Sequence, residues 1–386
     1  MTEVDPLIPP ENVAQSVPVP SPIGGESTVM FGGEATGSRG FWGEAWRRFR
    51  RRKLAMLALL FVCFLVLVAI FSPFIVGSKP IACHYKGVTY YPVFGYYNPN
   101  WENAIFSKPP FFKKYKESLF EKDPKNWVIY PLVYQDPFRR IGEGERENIP
   151  ENRSGDQGAP DKFSWFGTDQ NGIDVFAQMV HGTTTALLVG FVSMGIAAAI
   201  GIPLGAMAGY FGGFVDVLLS RILEVVMCIP SLVLILAMIA IIEKPSIWYI
   251  MAVLGLTGWT GIARLTRAEF LKLRNSEFTT AARALGAGPL RIIFRHILPN
   301  ALAPILVPIT FGIASAILTE SALSFLGLGG SGASWGKVLS SAQSNLAMWW
   351  LIVFPGGAIF LAVLAYNLIG EGIQEATDPR LREAGK

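Results

Sequence analysis

Four charged residues stand inside or at the edges of otherwise apolar runs: Asp216, Arg221, Glu224 and Glu320. A charge beside a membrane-length run is costly unless it is paired or solvated, so each needs a role. Arg221 and Glu224 are three apart, within one helical turn, and can form an i,i+3 pair. We read that pair as structural, at the end of a span. A proton or ion relay is the competing reading, but no further acid follows deeper in the run. Glu320 has no basic neighbour in sequence, and two roles stay open for it: lining a pathway, or bonding across helices.

Covalent chemistry has nothing to stand on. The histidines, His84, His181 and His296, are scattered. Cys63 and Cys228 lie in apolar runs and only Cys83 in a polar stretch, so neither a disulfide framework nor a metal spacing is expected. There is no G-x-x-x-x-G-K-[ST] loop to cradle a nucleotide, no G-x-S-x-G and no H-E-x-x-H. No catalytic residue, cofactor or metal is expected. If the protein does work, the energy comes from a partner or an ion gradient.

Composition sets the class. The 386 residues are 51% hydrophobic and 16% charged, with mean hydropathy +0.39. That predicts an all-α polytopic membrane protein. A net charge of +4 is too small to argue for nucleic-acid binding.

In order, residues 1–45 are Pro-, Gly- and Ser-rich without periodicity and predict a disordered arm. A basic, aromatic flank, 46–53, leads into an apolar run at 54–76, long enough to cross a bilayer. Its arginines place the N-terminus in the cytoplasm. Residues 78–178 are polar, aromatic and near neutral in charge, which suits the outer side; no clear strand or helix pattern emerges in them. Further spans are expected at 183–208, 215–242, 248–262, 301–325 and 351–370. Gly190, Gly195, Gly201 and Gly205 allow close helix contact in the second span, Gly255, Gly258 and Gly261 share a face of the fourth, and Pro304 and Pro308 break the fifth. Six spans put both termini inside. Arg264, Arg267, Lys272, Arg274, Arg283, Arg291 and Arg295, and after the last span Arg380, Arg382 and Lys386, then all fall on the cytoplasmic side.

One polar, basic insert interrupts this pattern. In residues 277–299, Phe278, Ala281, Ala282 and Leu285 form one helical stripe, and Leu290, Ile293, Phe294 and Ile297 a second. Gly286 suits a left-handed turn between them, Pro289 the first position of a new helix, and Pro299 its stop. Two short amphipathic helices joined by a sharp turn can dock into a groove on a soluble partner.

The insert resembles the coupling loop of binding-protein-dependent ABC importers, whose pattern is E-A-A-x-x-x-G followed by an isoleucine-containing helix and L-P. Ala281-Ala282, Gly286, Ile292 and Leu298-Pro299 match, with Thr280 where the family has its acid and Glu277 an acid one turn earlier. Residues 165–175, WFGTDQNGIDV, are similar to the H-x-x-G-T-D-x-x-G-R-D-V signature of the peptide/nickel branch, with Ile173 in place of Arg. The stretches 208–216, 320–329, 334–336, 366–372 and 378–380 match the same branch, with Glu224 where it usually has Asp. Much of 78–160 has no counterpart in shorter family members.

The resemblance implies a permease subunit in the bacterial cytoplasmic membrane, with 179–372 as its core, 267–300 as its cytoplasmic coupling loop and 373–386 as a cytoplasmic tail. It implies four kinds of surroundings: a homologous second permease, two cytoplasmic ATP-binding subunits, an extracytoplasmic solute-binding protein, and the lipid bilayer. Cargo would be a peptide or a related small solute such as nickel. Glu277, Ala281, Ala282, Arg283, Gly286, Pro289, Arg291, Arg295 and Pro299 would couple to the ATPases. Two other classes compete: an ion-coupled secondary carrier, which would need an inverted repeat and midplane acids, and a membrane scaffold that works through its outer segment.

Overall fold

In the computed structural model, residues 41–377 are described, apart from 86, 99–100, 102–124, 144, 146–148, 242–245 and 331. The arm 1–40 and the tail 378–386 therefore lie outside the described residues. Residues 41–45, expected in the arm, are helical. They open α1 (Phe41–Arg51), and α2 (Lys53–Ile75) follows at once. Arg52, extended between the two helices, pairs with Glu375 near the far end of the chain.

The remaining helices are α3 (Val175–Phe211), α4 (Gly213–Met227), α5 (Ser231–Ile241), α6 (Ile247–Leu273), α7 (Glu277–Ala284), α8 (Pro289–Phe325), α9 (Trp335–Ser341) and α10 (Trp350–Thr377). Among the described residues, α2, α3, α8 and α10 are long and apolar enough to cross a membrane. The stretch Gly213–Met227 plus Ser231–Met238 makes a fifth when the bent pair is taken as one span. Helices suit these runs because hydrocarbon offers the backbone no hydrogen-bond partner except itself. α6, at the place of the expected fourth span, is 27 residues long, but Gly, Thr and Trp dilute its first half and Arg and Lys its second.

Three expectations need correction. The third span is not one straight helix. Pro230 lacks an amide hydrogen, α4 ends at Met227 with Cys228 as its C-cap, and α5 leaves at 64°. Conversely, Pro304 and Pro308 do not break α8, and Pro299 does not stop it. Ahead of Pro299 the backbone widens into a π turn over Ile292–Ile297, in which the Leu298 amide donates to Ile293 O. Asn300 Nδ2 then donates to His296 O at 2.7 Å, occupying a carbonyl in that wide turn. Fully buried Ala301, Ala303 and Ile305 hold the helix through its prolines.

The tightest seam lies between α3 and α6. Gly201, Gly205 and Gly209 repeat every four residues and face the α6 backbone. A Cβ on Gly201 would stand 2.6 Å from Trp259 O, and one on Gly209 2.6 Å from Arg267 O. Gly190 meets the side chain of Ile313 of α8, whose Cγ2 would stand 2.7 Å from an added Cβ. Gly195, expected with them, faces open space. Of the α6 glycines only Gly255 is in close approach, against Ile196, and Gly261 has no neighbour within 4 Å.

Between α2 and α3 the described residues hold a small antiparallel sheet of order β2-β1-β3, with β1 Ala82–Tyr85, β2 Val88–Tyr90 and β3 Trp127–Ile129. Strands of three and four residues are too short to show alternation, which is why no pattern emerges there in sequence. A buried polar knot fastens this segment to the helices. Ser78 Oγ and Tyr96 OH both donate to Asp136, Arg139 forks onto Glu145 at 2.7 and 2.9 Å, and His181 Nε2 of α3 lies 2.8 Å from Val76 O.

Candidate functional site

Leaving α6, the chain makes a helical elbow. Ser276 Oγ and Thr279 Oγ1 both donate to Leu273 O, at 2.7 and 2.9 Å, fixing the angle at which α7 departs. α7 ends in a Schellman turn: the Ala287 amide reaches back to Ala282 O and the Gly286 amide to Arg283 O, each at 3.0 Å. Gly286 sits at φ +79°, a left-handed conformation that a side chain would strain. Gly288 and Pro289 then start α8, as the sequence predicts.

The two stripes read from the sequence are each split by the fold. Thr279 and Ala282 turn inward with Ile292, Ile293 and Ile297, and these five are buried. Phe278, Ala281, Leu285, Leu290 and Phe294 are exposed, Leu285 at 89%. Ala282 of the first stripe and Ile293 and Ile297 of the second thus hold the elbow to the body, while the other five stripe residues present an apolar surface. Around it stand Glu277, Arg283, Arg291 and Arg295. All are exposed, and none is in an ion pair among the described residues. Pro289 is exposed at the bend, and Pro299 is half-buried where the π turn ends.

Asp216 and Arg267 meet just before the elbow. The guanidinium of Arg267 on α6 takes both carboxylate oxygens of Asp216 on α4. This pair was missed in sequence: the two residues are 51 positions apart, and nothing in their spacing announces a partnership. Arg221 and Glu224 do form the expected i,i+3 pair, at 2.6 Å, on an exposed face.

Glu320 is 1% exposed and bonds rather than lining an open surface. Its Oε1 accepts from Ser324 Oγ at 2.6 Å and from Ser334 Oγ at 2.8 Å. Ser334 caps α9, and the adjacent Trp335 donates its indole N–H to Met179 O of α3 at 2.9 Å. The carboxylate therefore ties α8 to the loop that locks onto α3.

The stretch 167–175 is likewise a built turn. Asp169 Oδ1 accepts the amides of Asn171 and Ile173, at 2.8 and 2.9 Å, and Oδ2 accepts Gln178 Nε2. Gly172 is left-handed at φ +78°, against the Arg140 side chain. Asp174 caps α3 through the Ala177 amide at 2.8 Å, and Trp350 Nε1 reaches Thr168 O at 2.9 Å. Ile173 serves this turn through its backbone, so the turn survives without the arginine of the similar signature.

Between α3, the α4–α5 bend, α6 and α8 lies an open cavity of about 480 Å³. Its walls carry hydroxyls (Ser193, Thr257, Ser315, Thr319) and thioethers (Met194, Met227) and, among the described residues, no charged side chain.

Residues 201–383 match the family described as binding-protein-dependent transport system inner membrane component, and residues 40–110 the N-terminal TM domain of oligopeptide transport permease C. A dipeptide transport system permease protein of Alkalihalophilus pseudofirmus is 33% identical over 88% of this chain and 90% of its own. An oligopeptide transport system permease protein of Bacillus subtilis is 29% identical over 90% of this chain and 92% of its own. Among solved structures, the MetNI methionine ABC transporter aligns over 51% of this chain and 97% of that one, at 22% identity and a TM-score of 0.40.

Proposed function

Because the chain belongs to the inner membrane components of binding-protein-dependent transport systems, the permease subunits of ABC importers, we propose that it walls one side of a peptide path worked by separate ATPases through the elbow. The observation that carries this reading is the outward part of the two stripes. Phe278, Leu285, Leu290 and Phe294 form an exposed apolar face on a braced support, with Glu277, Arg283, Arg291 and Arg295 around it. Apolar anchors of this kind supply affinity when a partner groove desolvates them, and the surrounding charges set register.

The braces give the elbow a lever arm. α7 rests on the π turn of α8, and the Asp216–Arg267 pair joins α4 to α6. Closure of two ATP-binding subunits beneath it would swing α6 and α8 together and reshape the cavity between α3 and the α4–α5 bend. A homologous permease would supply the opposite wall. Among the described residues the cavity lining has no charge, which suits peptides of varied side chains and leaves choice of cargo to an extracytoplasmic binding protein. In this reading α6 completes six spans, both termini are cytoplasmic, and the segment between α2 and α3 is external. Peptide cargo is favoured over nickel by the relatives' names and by the hydroxyl-lined wall.

The test is Leu285→Asp with Phe294→Asp. Both side chains are exposed, so insertion should be normal, while retention of the ATP-binding subunits in mild detergent falls by about tenfold or more and ATP-driven peptide uptake is lost. Retention and uptake at the unsubstituted level would overturn the docking role.

A further inference from the structure

Two faces of α1 are exposed among the described residues. Ala45 and Phe49, one turn apart, are buried, and Phe49 packs on α10, where a Cβ added to Gly372 would stand 2.8 Å from its ring. Beside them Trp42 and Trp46, again one turn apart, are exposed, with Trp46 stacked on Phe49 at 5.8 Å. Arg47 and Arg51 lie on the opposite side and Arg50 beside Trp46, all three exposed, and Arg48 is half-buried. Among the described residues, none of these four arginines has a carboxylate within 4.0 Å, whereas Arg52 is paired with Glu375. Glu44 is the single acid of the helix.

Position decides what covers such a helix. The helix α2 begins two residues after α1 ends, and its apolar run one residue later, so α1 sits where that span meets water. An amphipathic helix at this level, with indoles on one flank and arginines beside and opposite them, lies in the headgroup plane. Guanidinium groups pair bidentately with phosphate. We propose that α1 reads the lipid: Trp42 and Trp46 enter the acyl boundary, and Arg47, Arg50 and Arg51 hold the phosphates of anionic headgroups. Through Phe49 on Gly372 and Arg52 on Glu375, the bound lipid steadies the end of α10. The inference rests on α2 crossing the membrane and not on the elbow or the cargo, so its failure would leave the docking role untouched.

Contact quenching tests it. The full-length chain is placed in nanodiscs containing phosphatidylcholine and phosphatidylglycerol in equal parts, with one or the other lipid brominated. Subtracting the signal of Trp42→Phe/Trp46→Phe isolates the two indoles. Brominated phosphatidylglycerol should quench them several-fold more than brominated phosphatidylcholine, and added salt should narrow the gap. In Arg47→Gln/Arg50→Gln/Arg51→Gln the ratio should fall to about one, while quenching by phosphatidylcholine persists. Equal quenching by both lipids in the unsubstituted chain would overturn the proposal. So would a preference that survives the triple substitution, or indoles that neither lipid reaches.

Discussion

Arg267 holds Asp216 with both arms of its guanidinium, Nη2 standing 2.8 Å from Oδ2, and so joins α6 to α4 immediately above the elbow. A forked geometry fixes direction as well as distance, so the two helices move as one body. The pair is partly solvated, which limits its contribution to stability. A double-mutant cycle on Arg267→Ala and Asp216→Ala, read by thermal unfolding in detergent, should give a coupling of about 1 kcal/mol. Uptake should suffer more than stability, because Arg267→Lys keeps the charge but loses the fork. A coupling near zero, with full uptake by Arg267→Lys, would show that the helices do not depend on one another here.

The α3–α6 seam makes a second prediction. At Gly201 a Cβ would meet Trp259 O at 2.6 Å and Ile262 Cβ at 3.0 Å, and neither is the loose end of a side chain. Gly201→Val must push the helices apart, at a cost of about 1–3 kcal/mol. Gly195→Val, six residues earlier and facing open space, should be close to neutral. Melting temperatures of the two variants, purified in parallel, check the contrast. Equal temperatures would mean that close approach of α6 is not what requires glycine at 201.

This contrast also shows how far sequence reaches. Glycine spacing announces that two helices touch, yet Gly195 and Gly201 look alike in sequence, and only the rotation of α3 decides which of them meets α6. The same holds at the elbow. Helical periodicity marks Phe278, Ala281, Ala282 and Leu285 as one stripe, but Ala282 is buried and Leu285 is almost bare. The amphipathic signal reports a face. It cannot divide that face between the body of the protein and a partner, because both are apolar. Gly286 and Pro289 were legible because backbone geometry at a turn is local. The wide turn ahead of Pro299 was not, since it depends on packing of Ile292, Ile293 and Ile297 from outside the helix. Asp216 and Arg267 were invisible as a pair for the same reason: long-range partners leave no spacing to read.

Asp174 should make stability depend on pH. Burial raises its carboxyl from the ordinary 3.8 to about 7, outweighing the amide donor of Ala177. Between those values the folded chain keeps a proton that the unfolded chain releases. Stability is therefore fullest below about pH 4, falls as pH rises, and levels off above about 7, with a total change on the order of a few kcal/mol. Asp174→Asn retains an oxygen to cap α3 but cannot titrate. Melting temperatures from pH 4.5 to 8 should decline for the unsubstituted protein and decline clearly less for Asp174→Asn. Parallel slopes would remove Asp174 as the cause.

Glu320 supplies the last test, because its two sequence readings part company on substitution. Its Oε1 accepts from Ser324 and Ser334, at 2.6 and 2.8 Å, and the side chain is buried away from the hydroxyl-lined cavity. If its work is to hold α8 to the α9 loop, an uncharged acceptor of the same shape suffices. Glu320→Gln should then keep most of the uptake. Glu320→Ala leaves two buried hydroxyls without their acceptor and should cost about 1–3 kcal/mol, with Trp335 loosened from Met179. The expected pattern is near-normal uptake by Gln, and for Ala a lowered melting temperature together with lost uptake. Uptake abolished by Gln at an unchanged melting temperature would assign the carboxylate to the path itself, since only a role that needs its charge is sensitive to that exchange.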